Sequence, residues 1–477
     1  MNSPNKFNTI IVGGGIVGAG IFRDLSLHNI ETLIIDKNDF TSRTSQSSSK
    51  MLHGGIRYLE NMDFALIHEA LHEKNLWLKI APHLCYEERF YLPVFQDSKR
   101  PLWMIKIGLF LYDLLSGFQN TTHELKNKSN TLAKFPFLKS SNLSGAGIYS
   151  DAIVDDAKMT LEMIYDGLKN SKCQALNYSE FIKSEKINEQ SHRVYFKNTI
   201  SNKEIVVECK NLVFATGPYT DTILKRNYHA HWQNIILPSK GSHLWFPKEI
   251  IPISNPIVIT TNDNRVIFVI PQNEMVLVGT TEVKINPPFD EVQIEKHEIE
   301  YLIHELNNYF PKLNISEKDI IGSYAGVRPL VKEDDNESLG KTSREHKIIQ
   351  IQNNVFCIAG GKYTTFRVMG QDISRIIVSQ LGHSYNDQLT TMPIRQKSTI
   401  LPFQFHCPTD AELISILENE LPKNFEDLVI RRIGINSKKI WNYKSKIDFD
   451  SYFLSKMELI NRYFPMTSED LKTIRDS

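Results

Sequence analysis

Apolar runs bounded by glycine divide the chain from its first residues. Thr9–Val12 (TIIV) is a short apolar run ending in glycine, as in a strand buried on both faces. Ile16 to Leu27 then carries Val17, Ile21 and Leu25 at a spacing that predicts a helix. Glu31–Ile35 reads as a second strand and ends in Asp36. Far along the chain Val355–Ala359 (VFCIA) repeats the theme. Two glycines follow, then Arg367, Val368 and Ile373 at helical spacing, with Thr364 and Thr365 as N-cap residues. Arg265–Pro271 and Met275–Thr281 predict an antiparallel pair joined through Gln272-Asn273-Glu274. Leu102–Leu115 (LWMIKIGLFLYDLL) is apolar nearly all round. It suits a buried core helix at least as well as a helix docked on a bilayer surface. It falls short of the ~20 residues of a membrane span, and Lys106 and Asp113 interrupt it. Residues 386–400 are polar and irregular, as in a linker, and from Asp410 the pattern is helical again at Leu413, Ile416, Leu417 and Leu421.

The first strand, helix and second strand give meaning to the glycines between them. Gly13, Gly15 and Gly18 form G-x-G-x-x-G. Gly13 allows the tight turn, Gly15 lets backbone approach a pyrophosphate, and Gly18 lets the helix pack close to the strand. The helix N-terminus would then face phosphates with unsatisfied N–H groups. Asp36 is placed to accept hydrogen bonds from ribose hydroxyls. This predicts a dinucleotide site without choosing between nicotinamide and flavin. Thr41 to Lys50 (TSRTSQSSSK) adds hydroxyls that can line a phosphate or a ring edge, and His53-Gly54-Gly55-Ile56-Arg57 reads equally as backbone held close to something flat or charged and as a plain turn with a surface Arg.

Composition narrows the class. The chain has 477 residues, with 55 Lys plus Arg against 55 Asp plus Glu, so it lacks the basic excess of a nucleic-acid binder. An apolar fraction of 41% is enough for real cores, which argues against disorder. Five cysteines, with no CxxC pair, argue against a disulfide scaffold or a zinc site and fit a reducing compartment; no metal is expected. Met1 to Asn8 shows no charged-then-apolar secretory pattern.

Asp39 to Glu60 (DFTSRTSQSSSKMLHGGIRYLE) resembles the signature of the FAD-dependent glycerol-3-phosphate dehydrogenases, whose loop runs SSKLxHGGxRYLE. Ser48, Ser49, Lys50, His53, Gly54, Gly55, Arg57, Tyr58, Leu59 and Glu60 match, while Ser47 stands where that family usually has Arg. The similarity recurs in order. Tyr149-Ser150-Asp151 and Asp155-Asp156-Ala157 resemble its YSD and DDAR segments, with Lys158 replacing Arg. Val213–Pro218 (VFATGP), Lys240-Gly241-Ser242-His243, Val266–Pro271 (VIFVIP), Gly279-Thr280-Thr281-Glu282, Gly326-Val327-Arg328-Pro329-Leu330 and Gly360–Arg367 (GGKYTTFR) resemble further motifs, Glu282 standing for the usual Asp. The likeness covers roughly residues 8 to 385, and Asn424–Ile435 resembles more weakly the start of the family's helical C-terminal domain.

The resemblance implies an α/β fold. It would comprise a Rossmann-like FAD-binding domain of glutathione-reductase or amino-acid-oxidase type, a mixed-sheet substrate domain and a small helical C-terminal domain. The expected boundaries are 1–97, 145–237 and 321–385 for the discontinuous FAD domain, 98–144 and 238–320 for the substrate domain, and 386–477 for the C-terminal domain. The late glycine-led helix selects FAD over NAD, because a helix dipole there would stabilise charge on a reduced flavin. Expected cofactor residues are Gly13, Gly14, Gly15, Gly18, Asp36, Thr44, Ser45, Ser49, Lys50, His53, Gly54, Gly55, Gly217, Gly361, Lys362, Thr364 and Thr365.

The implied reaction is oxidation of sn-glycerol 3-phosphate to dihydroxyacetone phosphate, with hydride passing from C2 to flavin N5 and electrons passing on to a membrane quinone. Arg57, Tyr58, Arg328, Arg344 and Lys362 are the substrate-binding candidates, since guanidinium forks suit a phosphate dianion. Arg328 also joins the catalytic set. His243 is the first candidate for the base and His53 the second. The expected setting is the cytoplasm, peripheral on the inner face of the cell membrane, and a homodimer stays open. So do two other readings, a peroxide-forming glycerol-3-phosphate oxidase and a non-catalytic FAD-fold binding protein. An amino-acid oxidase is disfavoured because Arg57 with Arg328 suits a dianion better than a zwitterion.

Overall fold

The structure is a computed structural model that describes residues 5–228, 232–261, 263, 265–290, 292–332, 346–403 and 405–474. The TIIV run belongs to a strand Asn5–Val12, whose later residues are buried on both faces. It pairs in parallel with Thr32–Ile35 on one side and Glu204–Phe214 on the other. Gln174–Leu176 extends the array beyond Thr32–Ile35, and Val355–Gly360 extends it beyond Glu204–Phe214, both in parallel. Chain from residue 5 and chain from residue 355 thus meet in one sheet. The edge strand His346–Gln352 and the hairpin Ser179–Asn188/Ser191–Asn198 complete its eight strands. Strand order reverses on either side of Asn5–Val12, the kind of switch point at which a crevice opens beyond the carboxyl ends of parallel strands.

Helix Ile16–Leu27 packs on the sheet between helices Asp156–Gly167 and Phe366–Gln380. Its crossing with Phe366–Gln380 is close: a Cβ on Gly370 would lie 3.1 Å from the Gly20 carbonyl carbon. The early and late glycine-led helices are therefore packed together, which aims both N-termini at the same side of the sheet.

The second sheet has ten strands in a mainly antiparallel order. The expected hairpin is present as Val266–Gln272 and Met275–Gly279, with Gln272 opposite Met275. Strand Ile236–Pro247 lies between Met275–Gly279 and Gly322–Val331. Strands Cys85–Phe95 and Leu143–Val154 also pair here, so residues 85–95, 145–154 and 322–331 hydrogen-bond into the second sheet, whereas the expected boundaries gave them to the FAD domain. Those boundaries followed motif order, and motif order does not report strand pairing.

Two further expectations are corrected. Helix Leu102–Leu115 has the expected ends but is not a buried core helix. It buries Leu109, Tyr112 and Asp113, while Trp103, Ile107, Phe110 and Leu114 are 62%, 53%, 49% and 51% exposed along one face. Among the described residues no helix is long and apolar enough to cross a membrane. Residues 386–400 are a packed strap rather than a loose linker. Glu162 accepts the N–H groups of Lys397 and Ser398, Arg23 donates to the carbonyls of Thr390 and Met392, and Ile394 N–H donates to the Ile80 carbonyl. The polar strap satisfies its backbone through buried side chains of the helices beneath it.

The C-terminal helices Asp410–Asn419, Lys438–Ser445 and Phe449–Ile460 gather around Trp441, Phe449, Phe453 and Phe425. Between them Asp427–Ile433 forms a wide π-helical turn that aims Arg431 and Arg432 at the buried Asp39, just past the second strand. Arg432 Nη2 donates to Asp39 Oδ1 at 2.9 Å and Arg431 Nε to Asp39 Oδ2 at 2.6 Å.

Candidate functional site

A cavity of about 760 Å³ lies at the switch point. Val12, Gly13, Asp36, Gly217, Gly361 and Lys362 wall it from the first sheet, and Gly241, His243, Phe268 and Arg328 from the second. Its size suits an organic cofactor with a small substrate.

The glycine turn is built as the sequence predicts. Gly13 has φ +110°, and a Cβ there would lie 2.4 Å from the Ala215 oxygen. A Cβ on Gly18 would lie 1.9 Å from the Gly13 oxygen, so only glycine lets the helix approach the strand this closely. Gly13, Gly15, Ile16 and Val17 border the cavity at the helix N-terminus, whose first turn carries no acidic residue. This fits an anionic pyrophosphate. Gly14 instead braces the acid that follows the second strand. Its N–H donates to Asp36 Oδ2 at 2.7 Å, and a Cβ would strike the Phe40 ring. Asp36 Oδ1 accepts from Asn38 N–H at 2.9 Å. Burial outweighs these two bonds and pushes the Asp36 carboxyl up to about 6.

The Ser-rich loop divides its residues. Thr44, Ser45 and Ser49 line the cavity. Thr44 Oγ1 donates to Val327 O at 2.8 Å, and Ser45 Oγ accepts Ile16 N–H at 2.9 Å. Lys50 turns the other way, with Nζ 2.5 Å from Asp156 Oδ1, and borders a neighbouring cavity of about 660 Å³. This corrects its expected place beside the cofactor: the buried Asp156 carboxylate claims the ammonium.

His53 lines the main cavity, and Thr364 Oγ1 clasps its backbone, accepting His53 N–H at 3.1 Å and donating to His53 O at 3.3 Å. Thr364 is therefore a clasp and not a helix cap. Thr365 does head helix Phe366–Gln380, but without a capping side-chain bond. Gly54 and Gly55 lie behind the wall. Gly55 has φ +78°, and a Cβ would lie 2.3 Å from the Tyr58 ring, on which Lys362 Nζ sits 3.9 Å from the centroid. Tyr58 and Lys362 both face the cavity. Arg57 is exposed and outside the wall, and Arg344 lies outside the described residues.

The catalytic candidates come from strand register. Tyr324, His243, Gly279 and Phe268 form one row across four strands, and Gly241 stands opposite Gly326 further along, with Ser239 opposite Arg328 beyond it. The His243 ring leans over Gly279, where a Cβ would lie 2.2 Å from Cδ2, and stacks on Tyr324 with centroids 4.8 Å apart. Its Nε2 is 2.9 Å from Ser49 Oγ, while buried Nδ1 has no hydrogen-bond partner among the described residues. Burial first, then the charges of Arg328 and Lys50, hold its pKa well below the usual histidine value, so the imidazole is neutral near pH 7. Arg328 reaches over Gly241 and donates to Thr280 Oγ1 at 2.9 Å and to Thr281 O at 3.4 Å. Sequence reasoning missed Tyr324, Thr280 and the Ser49–His243 bond. Strand alternation puts Tyr324 on the Arg328 face, but the pairing that sets it beside His243 joins strands far apart in sequence.

Residues 8–374 match the family described as FAD dependent oxidoreductase. The aerobic glycerol-3-phosphate dehydrogenase of Staphylococcus aureus is 30% identical over 397 residues, 82% of this chain and 70% of that protein. The chain belongs to the FAD-dependent oxidoreductases, in the glycerol-3-phosphate dehydrogenase family. Its fold agrees with that of the glycerol-3-phosphate dehydrogenase from Bacillus halodurans complexed with FAD, at a TM-score of 0.75 and 22% identity, covering 98% of this chain and 93% of that one. Glycine oxidase from Geobacillus kaustophilus matches at a TM-score of 0.62 and 16% identity, covering 82% of this chain and 99% of that one. Membership of this dehydrogenase family makes the protein an enzyme and FAD its cofactor, and the glycine cradle with its helix N-terminus suits that group.

Proposed function

We propose that the enzyme oxidises sn-glycerol 3-phosphate to dihydroxyacetone phosphate and passes the electrons to a membrane quinone. The observation that carries this reading is the adjacency of a buried neutral imidazole, His243, and the guanidinium of Arg328 on paired strands of one cavity wall. When bound, FAD supplies the hydride acceptor. The chain's own residues do the rest. Arg328, anchored by Thr280 and Thr281, meets the phosphate dianion with Lys362 as a second cation. Ser49 and the Tyr324 ring fix the imidazole plane. In the tautomer whose Nε2 lone pair accepts the Ser49 hydroxyl, the imidazole can draw the C2 hydroxyl proton through Ser49 Oγ, which lines the cavity, whereas Nδ1 is buried away from it. His53, clasped by Thr364 and lining the same cavity, is the second candidate for the base.

The exposed face of helix Leu102–Leu115 supports the quinone part of the reading. Trp103, Ile107, Phe110 and Leu114 share one side, with Lys99 and Lys106 nearby, the composition of a helix that lies in a lipid interface. The deciding experiment is anaerobic addition of glycerol 3-phosphate to the FAD-loaded enzyme. Bleaching of the flavin is the expected result, and an oxidised spectrum that persists refutes the reading. Faster turnover with a quinone dye than with dioxygen is expected of the bleached enzyme, and stoichiometric peroxide in air would transfer it to the oxidase class.

A further inference from the structure

Helix Leu102–Leu115 faces the interior as well as solvent, and there it meets a charged cluster. Lys74 is fully buried; its ammonium donates to Asn120 Oδ1 at 3.0 Å and to Ser150 O at 3.1 Å, and lies 3.5 Å from Asp151 Oδ1. The same carboxylate oxygen accepts the Tyr112 phenol at 2.8 Å and Gly54 N–H at 3.3 Å. Gly54 N–H also donates to the Tyr112 oxygen at 2.9 Å. Burial lowers the Lys74 pKa and raises those of Asp151 and Tyr112, so the charged form of each group would be easier to hold in water. A buried ion pair is a poor way to gain stability, because an apolar pair of the same volume does as well or better. Its merit is a fixed geometry.

What it fixes is the His53-Gly54-Gly55 backbone. Thr364 grips His53 from the late helix side, while Tyr112 from helix Leu102–Leu115 and Asp151 from the second sheet grip Gly54. The fit leaves no slack, since a Cβ on Gly54 would lie 2.5 Å from both Leu71 and the Tyr112 oxygen. One residue further on, Gly55 turns the chain beneath Tyr58 and Lys362. We propose that Tyr112, backed by Asp151 and Lys74, is a positioning residue: by holding Gly54 behind the cavity wall it sets His53 and Tyr58 on the wall that would face the flavin. The proposal rests on the function proposed above, and it concerns how the chain holds the cofactor's reactive end rather than which alcohol is oxidised.

The test is Tyr112→Phe in the FAD-loaded enzyme, which keeps the ring and removes the oxygen. FAD content should be unchanged, while the midpoint potential and visible spectrum of the bound flavin should move. The rate of flavin reduction by saturating glycerol 3-phosphate should fall about tenfold to a hundredfold, as expected of a small misplacement at a reacting centre, with KM within about threefold. The potential needs no substrate, so it decides the proposal even if glycerol 3-phosphate fails to bleach the wild-type enzyme. A folded, FAD-replete variant with the wild-type potential overturns the proposal whatever its turnover. Should Tyr112→Phe lose FAD, Asp151→Asn, which keeps an acceptor oxygen, decides in the same way: a moved potential supports the positioning role and an unmoved one overturns it.

Discussion

Replacing Arg328 by Met removes the guanidinium but keeps most of the stem, so the strand pairing of Gly322–Val331 with Ile236–Pro247 should survive. Two consequences follow from the structure. First, on the proposed function, the phosphate dianion would lose a charge-assisted partner that Thr280 and Thr281 hold in place. Truncating one member of a buried charged pair costs about 2–5 kcal/mol, or about thirtyfold to a few thousandfold in kcat/KM. Second, Arg328 is the leading charge that lowers the His243 pKa after burial itself. The imidazole pKa should therefore rise in the variant. The neutral base is present above its pKa and lost as pH falls through it, so the acid limb of the reduction rate should move to higher pH. The assay is anaerobic stopped-flow reduction of the bound flavin from about pH 5 to about pH 9, the range that brackets histidine titration, with glycerol 3-phosphate and with glycerol. Above the acid limb the glycerol rate should change little, since glycerol has no phosphate for Arg328 to hold, while its acid limb should move in the same direction. A kcat/KM for the phosphate ester within about threefold of wild type, or an acid limb that stays or moves to lower pH, would refute the assignment.

Three other outcomes can be measured. Gly18→Ala places a Cβ 1.9 Å from the Gly13 oxygen, where an ordinary contact needs about 3.3 Å, so the turn must open; about 1–3 kcal/mol of stability and most of the bound FAD should be lost, and a fully flavinated variant with unchanged Tm would contradict the cradle. Asp36 has a folded pKa of about 6, above its value in an unfolded chain, so its ionisation opposes folding above about pH 6 and has no effect below about pH 4. Asn keeps only one acceptor for the Gly14 and Asn38 N–H groups, so the test is the pH dependence: relative to wild type, FAD-stripped Asp36→Asn should gain up to about 3 kcal/mol of stability as pH rises from about 4 to about 7.5; a difference in Tm that does not grow with pH would refute that argument. Arg432→Met leaves Asp39 buried with Arg431 alone and should cost about 3–5 kcal/mol. In differential scanning calorimetry, unchanged melting would mean the C-terminal helices are not fastened there.

Local chemistry was legible in the sequence and long-range pairing was not. The turn at Gly13, Gly15 and Gly18 depends on neighbouring residues, and its conformations follow directly from residue type. The hairpin at Asn273 and the ends of helix Leu102–Leu115 are local in the same sense. The direction of that helix's apolar face was not legible, because residues on all sides are apolar and only the packing of Leu109 and Tyr112 decides which side is inward. Lys50 shows the other limit. In the loop it stands among cofactor candidates, but Asp156, from a helix far along the chain, turns it away. Strap 386–400 reads as a linker because its own side chains are polar; the groups that bind it, Arg23 and Glu162, lie elsewhere in the chain.

The position of His243 joins these levels. Its neutrality is not a property of the KGSH motif, since the Lys240 side chain is taken up by Glu295 and Glu298. It arises from burial and from two cations brought in by other elements, Arg328 across the strand pair and Lys50 from the loop. In the free protein those cations keep a base deprotonated at the cost of making it weak. On the proposed function, a phosphate dianion beside Arg328 would cancel much of that field, so the imidazole would gain basicity as the substrate arrives. A neutral polyol brings no such charge and an amino acid zwitterion brings a cation with its anion. The same electrostatic arrangement would thus select the phosphate ester twice, in binding and in the proton step.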